Sequence, residues 1–169
     1  MYQLKTGLLR EFAHEAKGTK SLFQSIPQSA LDYRSQPHLW SIRDLAAHII
    51  SIYNWYDGVF NSDAFDLSLV SSNASANATV EELNLELDAK IENATKAIEN
   101  WDETTYLAPW KLVHGDHILI PETAKIGIIR GMLMSHLYHH RGEMIAHLRT
   151  LGHAVPGLYG PTFEQMQSK

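Results

Sequence analysis

From Ser135 to Glu143 the chain reads Ser-His-Leu-Tyr-His-His-Arg-Gly-Glu, which puts three of the ten histidines, His136, His139 and His140, within five residues. The segment is strongly helical in pattern, and residues four apart on a helix project one above the other. His136 and His140 therefore offer two imidazoles to one point, most of what a divalent transition metal needs. A third ligand has to come from another segment, and His48 is the best candidate. A pair three apart, His136 and His139, is also geometrically possible. The helical face favours the other choice. His140 lies seven residues after Leu133 and four before Met144, on an apolar stripe, whereas His139 lies seven after Met132 and four before Glu143, on a half-exposed line. His140 is thus read as a ligand and His139 as a rim residue.

A single histidine on an apolar face is more often a hydrogen-bonded core residue than a ligand. Two inward histidines four apart are harder to place that way, because both need polar partners inside a bundle. Three converging imidazoles leave at least one coordination position open for water or substrate. An ion held so can act as a Lewis acid or lower the pKa of a bound water or thiol. Zinc and nickel suit imidazole ligands, with iron, copper and manganese as further options. Glu143, three residues after His140, can orient a ligand imidazole or act as an acid or base; the alternative is a solvated helix carboxylate. His114 and His117 flank Gly115-Asp116 in an expected loop and are read as solvent-facing, while His147 lies about two turns beyond the cluster. His14, His38 and His153 fit no pattern. Trp40, Tyr53, Trp55 and Tyr56 surround His48 in sequence and either wall a pocket or fill the core. No nucleophile elbow, phosphate-binding glycine loop or dinucleotide fingerprint is present.

Bulk properties narrow the classes further. The chain has 169 residues, 44% of them hydrophobic, enough for one domain, residues 1–169, with a real core. Net charge is −5 and there is no basic run, which argues against nucleic-acid binding. No cysteine is present, excluding disulfides and thiolate ligands. The first residues form a mixed amphipathic run without an apolar signal core, and no stretch is apolar enough to span a bilayer, so a cytoplasmic location with no membrane partner is expected. Asn-x-Ser/Thr triplets at Asn73, Asn77 and Asn93 are read as chance in an Asn- and Ser-rich stretch.

Four segments carry helical periodicity and must position the histidines. The first spans about Tyr2 to Phe23, with Leu4, Leu8, Phe12, Ala16 and Leu22 near one face. The second opens at Ser41, with Asp44 placed for a capping box, and turns Leu45, Ile49, Ile52 and Tyr56 inward with His48 close beside them. A polar linker, Asp63 to Ala78, centres on Ser71–Ser75. The third helix starts at Thr79, where Glu82 completes another capping box, and runs through Leu83, Leu87, Ile91 and Ile98 to Trp101. Asp102 to Ile120 breaks the pattern, with Leu112-Val113 and Ile118-Ile120 as arms of a short hairpin. Pro121 and Glu122 suit the first turn of a fourth helix that ends at Leu151-Gly152 and buries Ile126, Ile129, Leu133, Met144, Leu148 and Leu151. The predicted architecture is all-α, a four-helix bundle with a long crossover between helices 2 and 3.

These residues resemble the DinB-like family, also described as the DinB/YfiT group, of metal-dependent four-helix-bundle proteins. Trp40-Ser41-Ile42-Arg43-Asp44-Leu45-Ala46-Ala47-His48 is similar to the family's tryptophan-led helix with a ligand histidine at its end. His136-Leu137-Tyr138-His139-His140-Arg141-Gly142-Glu143 is similar to its H-x-x-H-H-R-G-Q signature, with Glu143 where glutamine is common. Pro156-Gly157-Leu158-Tyr159-Gly160-Pro161 resembles a tail found in many members. The resemblance implies an up-down-down-up bundle, often a homodimer, with a divalent metal on His48, His136 and His140. It implies a thiol-dependent S-transferase or isomerase using a low-molecular-weight thiol and a small-molecule substrate. A metal-dependent hydrolase and a non-catalytic metal-binding or dimerisation module are the alternatives. The family name refers to DNA-damage induction, which says nothing about DNA contact.

Overall fold

Two capping boxes decide where the second and third helices begin. The Asp44 amide donates to Ser41 Oγ while the Ser41 amide donates to the Asp44 carboxylate. Thr79 and Glu82 make the same reciprocal pair. Each satisfies donors that a helix N-terminus leaves open, and each cap contributes about 1 kcal/mol. In the computed structural model, which describes residues 4–69 and 77–167, these caps open α2 (Ile42–Asn61) and α3 (Val80–Asn100). Before them lies α1 (Leu4–Gln24). The fourth long helix, α4, is α-helical over Lys125–Gly127, π-helical over Ile128–Met134 and α-helical again over Ser135–Thr150. A short α5 (Phe163–Gln167) follows the tail. The start of helix 1 at Tyr2, the Asn73 triplet and the linker centre Ser71–Ser75 lie outside the described residues.

Polar contacts between helix ends set the directions. The Val80 amide donates to Gln28 Oε1 at 2.9 Å, placing the start of α3 beside the end of α1. Lys5 at the other end of α1 donates to the Trp101 carbonyl at 3.0 Å, where α3 stops. Arg43 donates to the Ala78 carbonyl, so α2 and α3 start at the same end. Lys125 at the head of α4 pairs with Asp63 just past α2 at 3.5 Å. Arg130 and Arg141 of α4 reach Glu11 and Glu15 of α1 in that same order. The bundle is up-down-down-up.

The apolar stripes meet in one core. Leu45, Ile49, Ile52 and Tyr56 are fully buried, as are Leu87 and Ile98, with Leu83 nearly so. On α1, Leu8, Phe12, Ala16 and Leu22 are buried while Leu4 is 38% exposed at the frayed end. Phe12 meets the edges of Tyr53 and Tyr56.

Three features depart from the expected bundle. First, the hairpin is longer: β2 (Pro109–His114) pairs antiparallel with β3 (His117–Ala124) around Gly115, whose φ of 57° fits a tight turn. Pro121 and Glu122 are therefore strand residues, not the first turn of helix 4. The ladder holds Trp110 opposite Thr123, and the Trp110 ring is buried against the bundle. Second, the start of the crossover forms β1 (Ala64–Asp66), a parallel edge strand on β2. Gly58 permits this, because a Cβ there would sit 2.6 Å from the Phe65 ring. Third, the π segment shifts the buried line of α4. Its hydrogen bonds skip five residues, so it winds more slowly than an α-helix. Ile129, Leu133, Met144 and Leu148 are buried as expected, but Leu151 is exposed, and Leu137 and Arg141 join the interior. Gly152, with φ 79°, supplies the expected left-handed cap.

Candidate metal centre

His48 lies in the second turn of α2, and the buried side chains of Leu45, Ile49 and Ile52 fix the rotation that turns it toward α4. His136 and His140 stand on the α-helical part of α4, just past the π segment. The three rings converge. Their centroids are 4.9 Å (His48–His136), 4.6 Å (His48–His140) and 4.7 Å (His136–His140) apart. One ring nitrogen from each lies within 4.8 Å of the others.

The closest approach is His48 Nε2 to His136 Nε2, at 3.1 Å. Without an ion, that contact needs a hydrogen on one nitrogen and none on the other. Two nitrogens bound at about 2.0–2.1 Å to one ion lie about 2.9 Å apart at a right angle and about 3.4 Å apart at the tetrahedral angle. The observed spacing falls between, so one ion fits the pair.

Electrostatics favour ligand-ready neutral rings. Burial, then the His140 and His136 rings, push the His48 pKa from 6.5 down to about 4, with Glu143 opposing. His136 is lowered as well, by burial first and then by His140 and His139. Among the described residues, no lysine or arginine is among the charges that shift either ring.

His140 is 8% exposed, and its Nδ1 lies 3.1 Å from Glu143 Oε2. A carboxylate at that nitrogen holds the hydrogen on Nδ1 and leaves Nε2 bare, the arrangement common to histidines that bind metals. The other Glu143 oxygen lies 3.8 Å from His147 Nε2. His139 is exposed, as its helical line predicts. His139, His140 and Glu143 also bring three ligand atoms within 4.8 Å of one another. The second grouping includes the exposed His139, whereas the three-histidine group is half-buried to buried and is the better metal site. His114 and His117 pair across the hairpin end and are exposed.

The four aromatics divide. Tyr53 and Tyr56 are core, with the Tyr56 hydroxyl buried and unpartnered among the described residues. Trp40 packs its ring 4.7 Å from His48 and 5.8 Å from His140. Trp55 lies 6.1 Å from His136 on the other side.

The tie that holds α4 in place escaped the sequence reading. Arg141, next to His140, is 1% exposed. Its guanidinium donates to the Glu15 carboxylate, to the Glu15 carbonyl at 2.9 Å, to Thr19 Oγ1 at 3.3 Å and to the Tyr159 hydroxyl. Tyr159 donates in turn to Glu15 Oε2 at 2.9 Å. This clamp joins α1, α4 and the tail directly behind the histidines. Arg141 and Tyr159 fall within the family-like motifs of the sequence, but nothing in their spacing shows that they meet Glu15.

Comparison with known proteins agrees with this architecture. The chain is 25% identical over 172 residues to the uncharacterised protein YrdA of Bacillus subtilis, covering 98% of this chain and 93% of that one. A DinB-like protein of Bacillus cereus superposes with a TM-score of 0.73 at 18% identity, covering 94% of this chain and 100% of the other. YjoA, a DinB-like protein of Bacillus subtilis, gives 0.69 at 16% identity, with 92% and 99% covered. A DinB-family protein of Exiguobacterium sibiricum gives 0.69 at 17% identity, with 94% and 99% covered. At these identities the structures speak for the fold, while the sequence profile of the DinB family matches residues 1–169, and the chain belongs to that family.

Proposed function

We propose that His48, His136 and His140 hold one divalent ion, zinc or nickel, and that the protein is a thiol-dependent S-transferase or isomerase acting on a small-molecule substrate. The carrying observation is the three converging ring nitrogens, whose group includes no fourth histidine, aspartate or glutamate among the described residues. Three ligands leave a position open. An ion in such a site holds a thiol as thiolate near neutral pH. The chain has no cysteine, so the thiol comes from a separate low-molecular-weight molecule. Burial keeps His48 and His136 unprotonated, as ligands must be. Glu143 holds the His140 hydrogen on Nδ1, and its side chain, 37% exposed, is able to take the proton that a thiol sheds. The family resemblance extends the proposal to a homodimer of single-domain chains.

The test begins with elemental analysis of protein purified without an affinity tag. Cobalt- or nickel-substituted protein is then titrated with a panel of small thiols, and turnover is assayed with an electrophilic acceptor. A thiol-induced change in the metal spectrum that His48→Ala abolishes is the expected result. If no thiol changes the spectrum and none supports turnover, the transferase reading fails. A hydrolase using bound water, or a binding module, then takes its place.

A further inference from the structure

Trp40 is the large aromatic that the fold leaves open beside the three histidines. It is 46% exposed, and its neighbour Leu39 is 43% exposed. The inner face of the indole lies against His48 and His140. Its backbone is held on both sides. Arg34 donates to the Leu39 carbonyl at 2.6 Å and pairs with Asp44 at 2.9 Å, while Ser41 is locked in the capping box that starts α2. The main chain at Trp40 is thus anchored on either side of the indole. Of the three histidines, His140 is covered and His48 and His136 are half-buried, so solvent reaches the cluster over those two rings. Trp40 flanks His48 there, and half-buried Trp55 flanks His136. Glu143 is the charged side chain bonded to the cluster.

We infer that Trp40 is a specificity-determining residue whose indole stacks on the body of the metal-bound ligand, and that the site selects a ligand with a flat aromatic or conjugated body over an aliphatic one. The inference rests on the metal site proposed above. Two indoles offer π faces that reward stacking. A ring that only shielded the ligands from water would alter metal affinity and leave ligand choice untouched.

The test compares matched ligands on cobalt-loaded full-length protein, with each dissociation constant read from the cobalt spectrum and each variant's cobalt affinity measured in parallel. Phenylmethanethiol and 2-mercaptoethanol share a thiol donor and differ in body. Benzohydroxamate and acetohydroxamate make the same aromatic comparison with oxygen donors. The wild type should prefer the aromatic member of each pair. Trp40→Ala should shrink that preference about 2- to 12-fold, the size of one aromatic pair, and Trp40→Phe should keep most of it. Hydroxamates that show the Trp40 dependence while all thiols are silent would remove the thiol reading and leave the platform standing. An aromatic preference that is absent in both pairs, or equal in wild type and Trp40→Ala, overturns the inference.

Discussion

Removing the Glu15 carboxylate tests whether the buried clamp holds α4 as the geometry implies. In Glu15→Ala, Arg141 keeps the residue 15 carbonyl at 2.9 Å and Thr19 at 3.3 Å on Nη1. Its Nη2 loses the carboxylate and retains only the Tyr159 hydroxyl. Nε has no partner among the described residues to begin with. A guanidinium 1% exposed is then left without its counter-charge. Breaking a buried pair from one side costs about 3–5 kcal/mol, and the surviving Nη1 bonds place this case near 3. For a chain of this length that lowers Tm by roughly 6–12 °C. Removing both charges with Glu15→Leu and Arg141→Met leaves no stranded ion, so the double variant should be about 2 kcal/mol less damaged than the sum of the singles. Urea unfolding of the wild type, Glu15→Ala, Glu15→Leu, Arg141→Met and the double variant at neutral pH measures all of these values. A Glu15→Ala loss below about 1 kcal/mol, with single losses that simply add in the double variant, would refute the reasoning.

Four further outcomes follow from the site and its supports. His140→Ala should weaken metal binding strongly while His139→Ala leaves it nearly intact, read by competition with a chromophoric chelator; the reverse order would place the ligand on the wrong neighbour. Glu143→Ala should lower metal affinity about 10- to 100-fold by releasing the His140 ring, and an unchanged affinity would reduce Glu143 to a solvated carboxylate. The metal-free protein should lose stability as pH falls from 6.5 toward about 4, because the unfolded chain binds a proton at residue 48 in that window while folded His48 does not; thermal melts across pH would show it, and a flat profile would contradict it. Gly58→Ala should destabilise by about 1–2 kcal/mol despite its gain in helix propensity, because the new methyl must displace the Phe65 ring, and unchanged denaturation would mean that β1 shifts freely.

Much of this protein is written locally. Ser41 with Asp44, and Thr79 with Glu82, start their helices through bonds that span three residues, so the caps are visible without a fold. The apolar spacing of α2 and α3 and the four-residue step from His136 to His140 are likewise properties of one helix, and they point correctly at burial and at a paired site. What periodicity does not encode is contact between distant segments. His48 and His136 are 88 residues apart, and only the antiparallel packing of α2 on α4 brings their nitrogens to 3.1 Å. The strand Ala64–Asp66 exists because β2 offers it an edge, and Pro121 and Glu122 are strand residues because the ladder beneath Trp110 outweighs their local preference for a helix start. The π segment Ile128–Met134 redirects the buried line of α4, which helps bring Arg141 inside, where Glu15, 126 residues earlier, can meet it. Sequence determines which side chains can do chemistry and which faces must be dry; tertiary packing decides which of them meet, because that choice depends on how the faces of separate helices pair, and no single helix contains that information.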